Sequence, residues 1–261
     1  MEAARKSELL HALVQMLAEE RGMDAGPLIA EPDLWPVFRA LVNTREPVPA
    51  SEEFLSLQDE LLQGLIAEHG VHAVGEAEAS PADGRMRLWR GDITTFAADA
   101  IVNAANSQML GCWVPGHHCI DNAIHTYAGV QLRLECARLM AAQGHEEPTG
   151  MAKVTDAYNL PAQRVIHTVG PIANGLPTAL HRAQLASCYR SCLDAAAAEG
   201  LRFIAFCCIS TGIFGFPQRA AADIAVRSVR TWLDDAGSDM TVVFNVFGDA
   251  DEQLYCALLS L

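Results

Sequence analysis

From Gly111 to Ile120 the chain reads GCWVPGHHCI, placing two cysteines and two histidines within eight residues just ahead of a segment with a helical pattern. Thiolates and imidazoles are the donors zinc prefers. Three protein ligands would leave a fourth position open to water or substrate, as catalysis requires. A fourth ligand such as Cys136 or His125 would close the site into a structural staple. Reactive thiols and an accident of composition are the other readings of the same residues.

Further motifs each follow an apolar run of strand type. After MRLW comes Arg90-Gly91-Asp92-Ile93-Thr94, after AIVNAA comes Asn106, and after FIAFCCIS comes Thr211-Gly212-Ile213-Phe214-Gly215-Phe216. The glycines of the last can take positive φ and turn successive amides toward an anion. That loop lacks a Walker lysine and the full dinucleotide fingerprint, so a plain strand-to-helix connection is the competing reading. Asp92 likewise reads as a cap for the next turn, and Asn103 and Asn106 as turn-forming residues after a strand.

The elements that position these motifs fall into two textures. Residues 1–80 are helical in pattern: Leu9, Leu10, Leu13, Val14 and Leu17 form one apolar face, and Ser51 with Glu52 and Glu53 marks a second helix start. GEAEASPADG, residues 75–84, reads as a linker and sets a boundary near residue 82, between a helical extension over 1–80 and a domain over 81–261. In the second part, strand-type runs at 86–89, 100–105, 152–157, 164–170, 202–210 and 241–247 alternate with helical faces. One face carries Ile124, Tyr127, Ala128, Leu132 and Leu139, another Leu185 to Ala196, and a third opens at Pro217 and closes at Gly237. Continuous apolar strands between helices predict a sheet covered on both faces, an α/β/α sandwich that binds ligands beyond the carboxyl ends of its strands.

Composition narrows the function classes. A chain of 261 residues, 51% hydrophobic, can bury a full core. Its formal charge of −14 opposes nucleic acid and anionic lipid as partners, while leaving phosphate binding by backbone amides open. The opening residues lack an apolar signal region and no long apolar run follows, so the expectation is a soluble, cytoplasmic protein. Cys188, Cys192, Cys207 and Cys208 sit within apolar patterns and read as core thiols. His125, His167 and His181 read as structural, and Asp121 and Asn122 as helix-start residues.

In combination, GDIT, AIVNAAN and the later Ser-Thr-Gly-Ile-Phe-Gly-Phe loop resemble a macrodomain, the ADP-ribose-binding α/β/α module with a mixed central sheet. GMAKVTDAYNLPAQRVIHTVGP matches the Gly-x-Ala strand and the His-Thr-Val-Gly-Pro strand end of that pattern, and the resemblance spans residues 85–261. GCWVPGHHCIDNAIHTYAGVQLRLEC, with a helical extension ahead of it, is similar to the zinc-dependent macrodomains, protein-ADP-ribose hydrolases linked to class M sirtuins. The resemblance implies one zinc per chain on a Cys-x4-His-x-Cys pattern, here Cys112, His117 and Cys119, with His118 the adjacent alternative to His117. A helix start just after Cys119 would favour its thiolate. The resemblance further implies that Asp92 and the Ile93 amide hold adenine, that Asn103 and Asn106 flank the distal ribose beside Cys112, and that Ser210, Thr211, Gly212, Ile213 and Phe214 hold the diphosphate. Asn106 and the three ligands form the implied catalytic set. The implied reaction removes mono-ADP-ribose from protein side chains, Asp or Glu esters foremost. The implied partners are ADP-ribose, the modified protein, and a class M sirtuin with its carrier-protein target. An ADP-ribose reader with structural zinc and an O-acyl-ADP-ribose esterase are the alternatives.

Overall fold

A computed structural model describes all residues, 1–261. The amino-terminal part is four helices, α1 (Ala3–Glu20), α2 (Gly26–Ile29), α3 (Leu34–Asn43) and α4 (Glu52–His69). Ser51 caps α4 as its position predicts, its hydroxyl accepting from the Phe54 amide at 3.1 Å, with Glu52 and Glu53 in the first turn. The apolar faces of α1, α3 and α4 close on one another in a cluster of 13 buried residues around Phe38, so the extension brings a small core of its own.

The remaining strands are β1 (His72–Ala73), β2 (Glu78–Ala79), β3 (Met86–Arg90), β4 (Phe96–Ala97), β5 (Ala100–Ala105), β6 (Ala152–Asp156), β7 (Arg164–Val169), β8 (Phe203–Phe206) and β9 (Thr241–Val246). Seven of them form one mixed sheet in the order β2-β3-β9-β8-β5-β7-β6. The five inner strands run parallel, and β2 and β6 pair antiparallel at the two edges. Strands β5, β7 and β9, inside the sheet, are almost wholly buried, as unbroken apolar runs require. Helices α7 (Ala179–Ala198), α8 (Gln218–Asp235) and α9 (Asp249–Leu259) pack together on one face. On the other lie α5 (Ile120–Ala128) and α6 (Val130–Gln143).

Four details differ from the sequence reading. Residues 75–84 are not merely a linker: β2 lies inside them, with Glu78 opposite Leu88, and the Ser80 hydroxyl donates to the Leu259 carbonyl at 2.7 Å. A two-residue edge strand held by main-chain bonds has no room for an alternating pattern, so composition conceals it. The run expected to extend to residue 210 leaves the sheet after Phe206 and turns at Ser210, whose φ is 66°. The face drawn through Ile124 and Leu139 belongs to two helices, broken at Gly129 with φ 99°. Helix α9, its first turn filled by Asp249, Asp251 and Glu252, had no counterpart among the expected elements.

The extension docks on α5 and α6. Tyr127 and Val130 extend its apolar cluster, Gln58 accepts from the Val130 amide at 2.9 Å, and Arg133 donates to the carbonyls of Val42 and Arg45. Phe38, fully buried at the centre, is the side chain most exposed to a test. Phe38→Ala should cost about 3–5 kcal/mol, and chemical denaturation should still show a single transition, because the two cores share α5 and α6. A separate early transition for the extension would show the parts to be uncoupled.

Candidate active site

Because the five inner strands are parallel, their carboxyl ends lie on one side of the sheet, and every site residue singled out in the sequence follows one of them or lies in one. Asp92 and Ile93 follow β3. Asn103 lies in β5, with Asn106, Cys112, His117 and Cys119 beyond it, and residues 210–214 follow β8.

At the β3 end, Asp92 caps a single 3-10 turn, its Oδ1 accepting from the Thr94 amide at 2.9 Å and the Thr94 hydroxyl at 2.7 Å. Both bonds fall on Oδ1, so the second carboxylate oxygen is left for another donor. The Ile93 side chain is buried in the core, and only its main chain can meet a ligand. Next to this turn the Gly91 amide donates to the Val246 carbonyl at 3.0 Å, and the following residue, Phe247, is 77% exposed. Main-chain pairing thus brings an exposed aromatic residue and a carboxylate with one free oxygen to the same strand ends, a combination suited to a base. The strand-like run at 241–247 hid Phe247 from sequence reasoning.

At the β8 end, the amides of Thr211, Gly212, Ile213 and Phe214 donate to no protein acceptor, whereas those of Gly215 and Phe216 close the turn onto Gly212 and Ser210. Four successive N–H groups without a protein acceptor are available to an anion. The turn is pinned from outside, with Ala173 and Asn174 donating to the Phe214 carbonyl at 2.8 and 3.1 Å. Ser210 is buried in the left-handed region, and its hydroxyl sits so close to Gly170 that a β-carbon there would lie 2.1 Å from it. Only glycine fits at 170 while Ser210 keeps this position.

The loop after β5 carries the cysteines and histidines. Ligand atoms of Cys112, His117 and Cys119 all lie within 4.8 Å of one another, and Cys112 Sγ is 3.5 Å from His117 Nδ1. Tetrahedral zinc spaces sulfur and nitrogen donors by roughly 3.5–3.8 Å, so this soft donor set fits the ion with small adjustments. His118 is exposed and outside the group. Cys136 and His125, considered as a closing fourth ligand, form a different buried group with His167. The expected easing of Cys119 ionisation is corrected. Cys119 does cap α5, its sulfur accepting from the Asn122 amide at 3.4 Å, but burial, with Cys112 alongside, outweighs that bond and pushes the thiol up to about 12. Without a cation Cys119 stays protonated.

Behind this loop lies a carboxylate that sequence reasoning assigned only to the helix start. Asp121 is buried, accepting from Asn103 Nδ2 at 2.8 Å and from Asn106 Nδ2 at 3.4 Å, with His125 Nε2 3.6 Å away. Burial pushes its pKa up to about 6, against the lowering effect of Asn103. Asn103 has no exposed surface and bonds Asp121 and His167, which corrects its expected place at the ribose: it holds the carboxylate from beneath. Asn106 remains partly exposed, its Oδ1 accepting from Gln108 and its Nδ2 donating to the Gly111 carbonyl at 3.1 Å. The overlooked signal was spacing: Asp121, Ile124, His125 and Ala128 share one buried helix face.

A model of the Macro domain family matches residues 102–225, and a protein-ADP-ribose hydrolase of Treponema medium is 54% identical over 228 residues, covering 86% of this chain and 87% of its own length. The chain belongs to the macrodomain family. A protein-ADP-ribose hydrolase of Staphylococcus aureus (strain MRSA252) is 51% identical over 225 residues, covering 85% of this chain and 84% of that one. Among solved structures, a Trypanosoma brucei macrodomain in complex with ADP-ribose superposes with a TM-score of 0.65 at 29% identity, over 85% of this chain and 94% of that one. An Oceanobacillus iheyensis macrodomain with ADP gives 0.61 at 36% identity, over 67% and 90%.

The macrodomain core of this chain buries two neutral histidines beneath the site, their rings 6.0 Å apart. His167 is held down to about 3 by burial, and His125 well below its ordinary value of 6.5 by burial, then by His167 and Arg133. A depressed histidine binds its proton in the unfolded chain first, so stability falls as pH drops below the ordinary value. Asp121 acts in the opposite sense, binding its proton in the folded chain between its ordinary 3.8 and about 6. Each group contributes a slope of about 1.4 kcal/mol per pH unit within its window. Urea unfolding between pH 4 and 6 should therefore lose one such slope in His125→Gln. An unchanged slope would mean that His125 titrates freely in the folded protein.

Proposed function

We propose that the protein is a protein-ADP-ribose hydrolase that removes mono-ADP-ribose from modified side chains, with one zinc ion held by Cys112, His117 and Cys119. The observation that carries this reading is the meeting, at the carboxyl ends of the inner strands, of four free main-chain amides and a soft three-donor loop set against a buried carboxylate. The hydrolase names and bound ADP-ribose of the similar proteins support it.

Asp92 would accept from the exocyclic amine of adenine through Oδ2 while Phe247 stacks on the base. The amides of residues 211–214 would take the diphosphate, leaving the distal ribose at Asn106 and the β5–α5 loop. When bound, zinc supplies Lewis-acid chemistry at a ribose or ester oxygen or at a water. Asp121, raised toward neutrality, is ionised at pH 7 yet basic enough to accept a proton from water or a ribose hydroxyl, the balance general-base catalysis needs. Asn106 and Asn103 keep its two oxygens oriented. Asp and Glu esters are the favoured linkage, since an anomeric ester breaks more easily than an N-glycosidic bond.

Binding and chemistry should then separate. Asp92→Ala should weaken ADP-ribose by about 1–3 kcal/mol, read by calorimetry; equal affinities would remove Asp92 from the site. Elemental analysis should find one zinc per chain, lost in Cys119→Ala. In single-turnover release from an aspartate- or glutamate-modified protein, both Cys119→Ala and Asp121→Asn should fall by at least about 100-fold, with ADP-ribose affinity changing far less. Wild-type protein that binds but never cleaves would be a reader, and one that cleaves only O-acyl-ADP-ribose an esterase.

A further inference from the structure

We infer that the helical extension is a bracket for the cysteine-histidine loop, with Arg39 and Asn43 of α3 as positioning residues for the proposed metal ligands. The inference rests on the zinc reading of that loop. Two side chains of the extension reach across to it. Arg39 Nη2 donates to the His117 carbonyl at 3.0 Å and to Asn122 Oδ1 at 2.8 Å, with Nε adding a second bond to Asn122 at 3.1 Å. Asn43 Oδ1 accepts from the Gly116 amide at 3.0 Å and from Asn122 Nδ2 at 2.9 Å, while its own Nδ2 donates to the Thr126 hydroxyl at 2.9 Å.

Asn122 is the junction. It is fully buried, its Nδ2 also donates to the Val114 carbonyl at 3.1 Å, and its main-chain amide is the donor to Cys119 Sγ. Arg39 therefore holds one ligand, His117, by its carbonyl and a second, Cys119, through Asn122. Asn43 ties down the middle of the loop between Cys112 and His117. The loop has little else to hold it: Val114 is 57% exposed, and residues 112–119 form neither strand nor helix. On its outer side Trp113 is stacked under the Arg133 guanidinium at 4.3 Å, and Arg133 itself donates to the extension's Val42 and Arg45 carbonyls. Donor positions within a loop of this kind set metal affinity, and the groups that orient the donors are worth on the order of 10- to 100-fold.

The test compares full-length wild type, Arg39→Met, Arg39→Lys and Asn43→Ala, using zinc itself in chelator competition, cobalt-thiolate absorption, ADP-ribose calorimetry, turnover, and amide exchange over residues 112–122. Partly exposed Arg39 is the safer of the two to replace, so Arg39→Met decides the matter if buried Asn43→Ala unfolds. Arg39→Met should weaken zinc by about 10- to 100-fold, alter the cobalt band, speed amide exchange in the loop and lower kcat, with ADP-ribose affinity within about twofold of wild type; Arg39→Lys should recover part of each. Wild-type zinc affinity, cobalt spectrum and exchange in Arg39→Met would overturn the inference. If wild type binds no zinc, the metal reading fails by itself, and loop exchange in Arg39→Met still decides the bracket: faster supports it, unchanged overturns it.

Discussion

Burying a carboxylate and an amide side by side in the first turn of α5 is the constraint on which the site depends. Asp121 meets the sheet, through Asn103 and Asn106, while Asn122 meets the extension, through Arg39 and Asn43. An unpaired buried polar group costs about 1–3 kcal/mol, so neither side can withdraw without exposing the other to that cost. The β5 strand, the loop after it and the extension are consequently one polar unit laid across two apolar cores. This accounts for an extension that has its own small cluster and yet sends a buried polar side chain, Asn43, outward to Gly116, Asn122 and Thr126.

Polar satisfaction is nearly complete elsewhere and fails here. Of five buried side-chain polar atoms without a partner, four belong to Asn103, His125 and Ser210, all beneath or within the proposed site. His125 contributes both ring nitrogens, and the main chain presses on it: Gly111 has φ 78°, and a β-carbon there would come within 2.8 Å of the ring. Ser210 adds a left-handed backbone. Such costs persist where the surrounding fold over-determines them, and they gather where chemistry needs fixed groups in a water-poor setting. The raised pKa of Asp121 arises from the same burial, so the arrangement that weakens the fold is also what the proposed general-base role of this carboxylate rests on.

How much of this was legible in the sequence depended on whether the signal was local. The six long strands were visible as apolar runs, β5 to the residue, because a strand buried on both faces must be continuously apolar. The motifs at strand ends were visible because their residue types are unusual for a loop. What escaped was relational. Edge strand β2 is defined by its bonds to β3, and α9 by packing beside α8. Asp121 was indistinguishable from an ordinary acidic first-turn residue until the fold placed Asn103 and Asn106 against it. Arg39 and Asn43 lie more than seventy residues before the groups they hold, and nothing in WPVFRALVN announces the far partner.

If the diphosphate of the proposed ligand is to be held by a chain of net charge −14, main-chain N–H groups are a source of positive potential that needs no basic side chains. On the proposed reading residues 211–214 would supply it as N–H dipoles, while the two arginines beside the cysteine-histidine loop are already committed, Arg39 to Asn122 and His117, Arg133 to Trp113 and main-chain carbonyls. Dipoles held by a pinned turn need no rearrangement when the ligand arrives and carry no counterions to release, whereas a lysine cluster would do both and would also attract nucleic acid. The net acidity of the chain would then work as a filter. It would repel polyanions with nothing to set against the repulsion, while a nucleoside diphosphate would offset it with a base for Asp92 and Phe247 and an anion for the free amides of residues 211–214. On the proposed reading selectivity would come from requiring several separated contacts at once, leaving the cysteine-histidine loop, at the far end of the ligand, to serve the reacting bond.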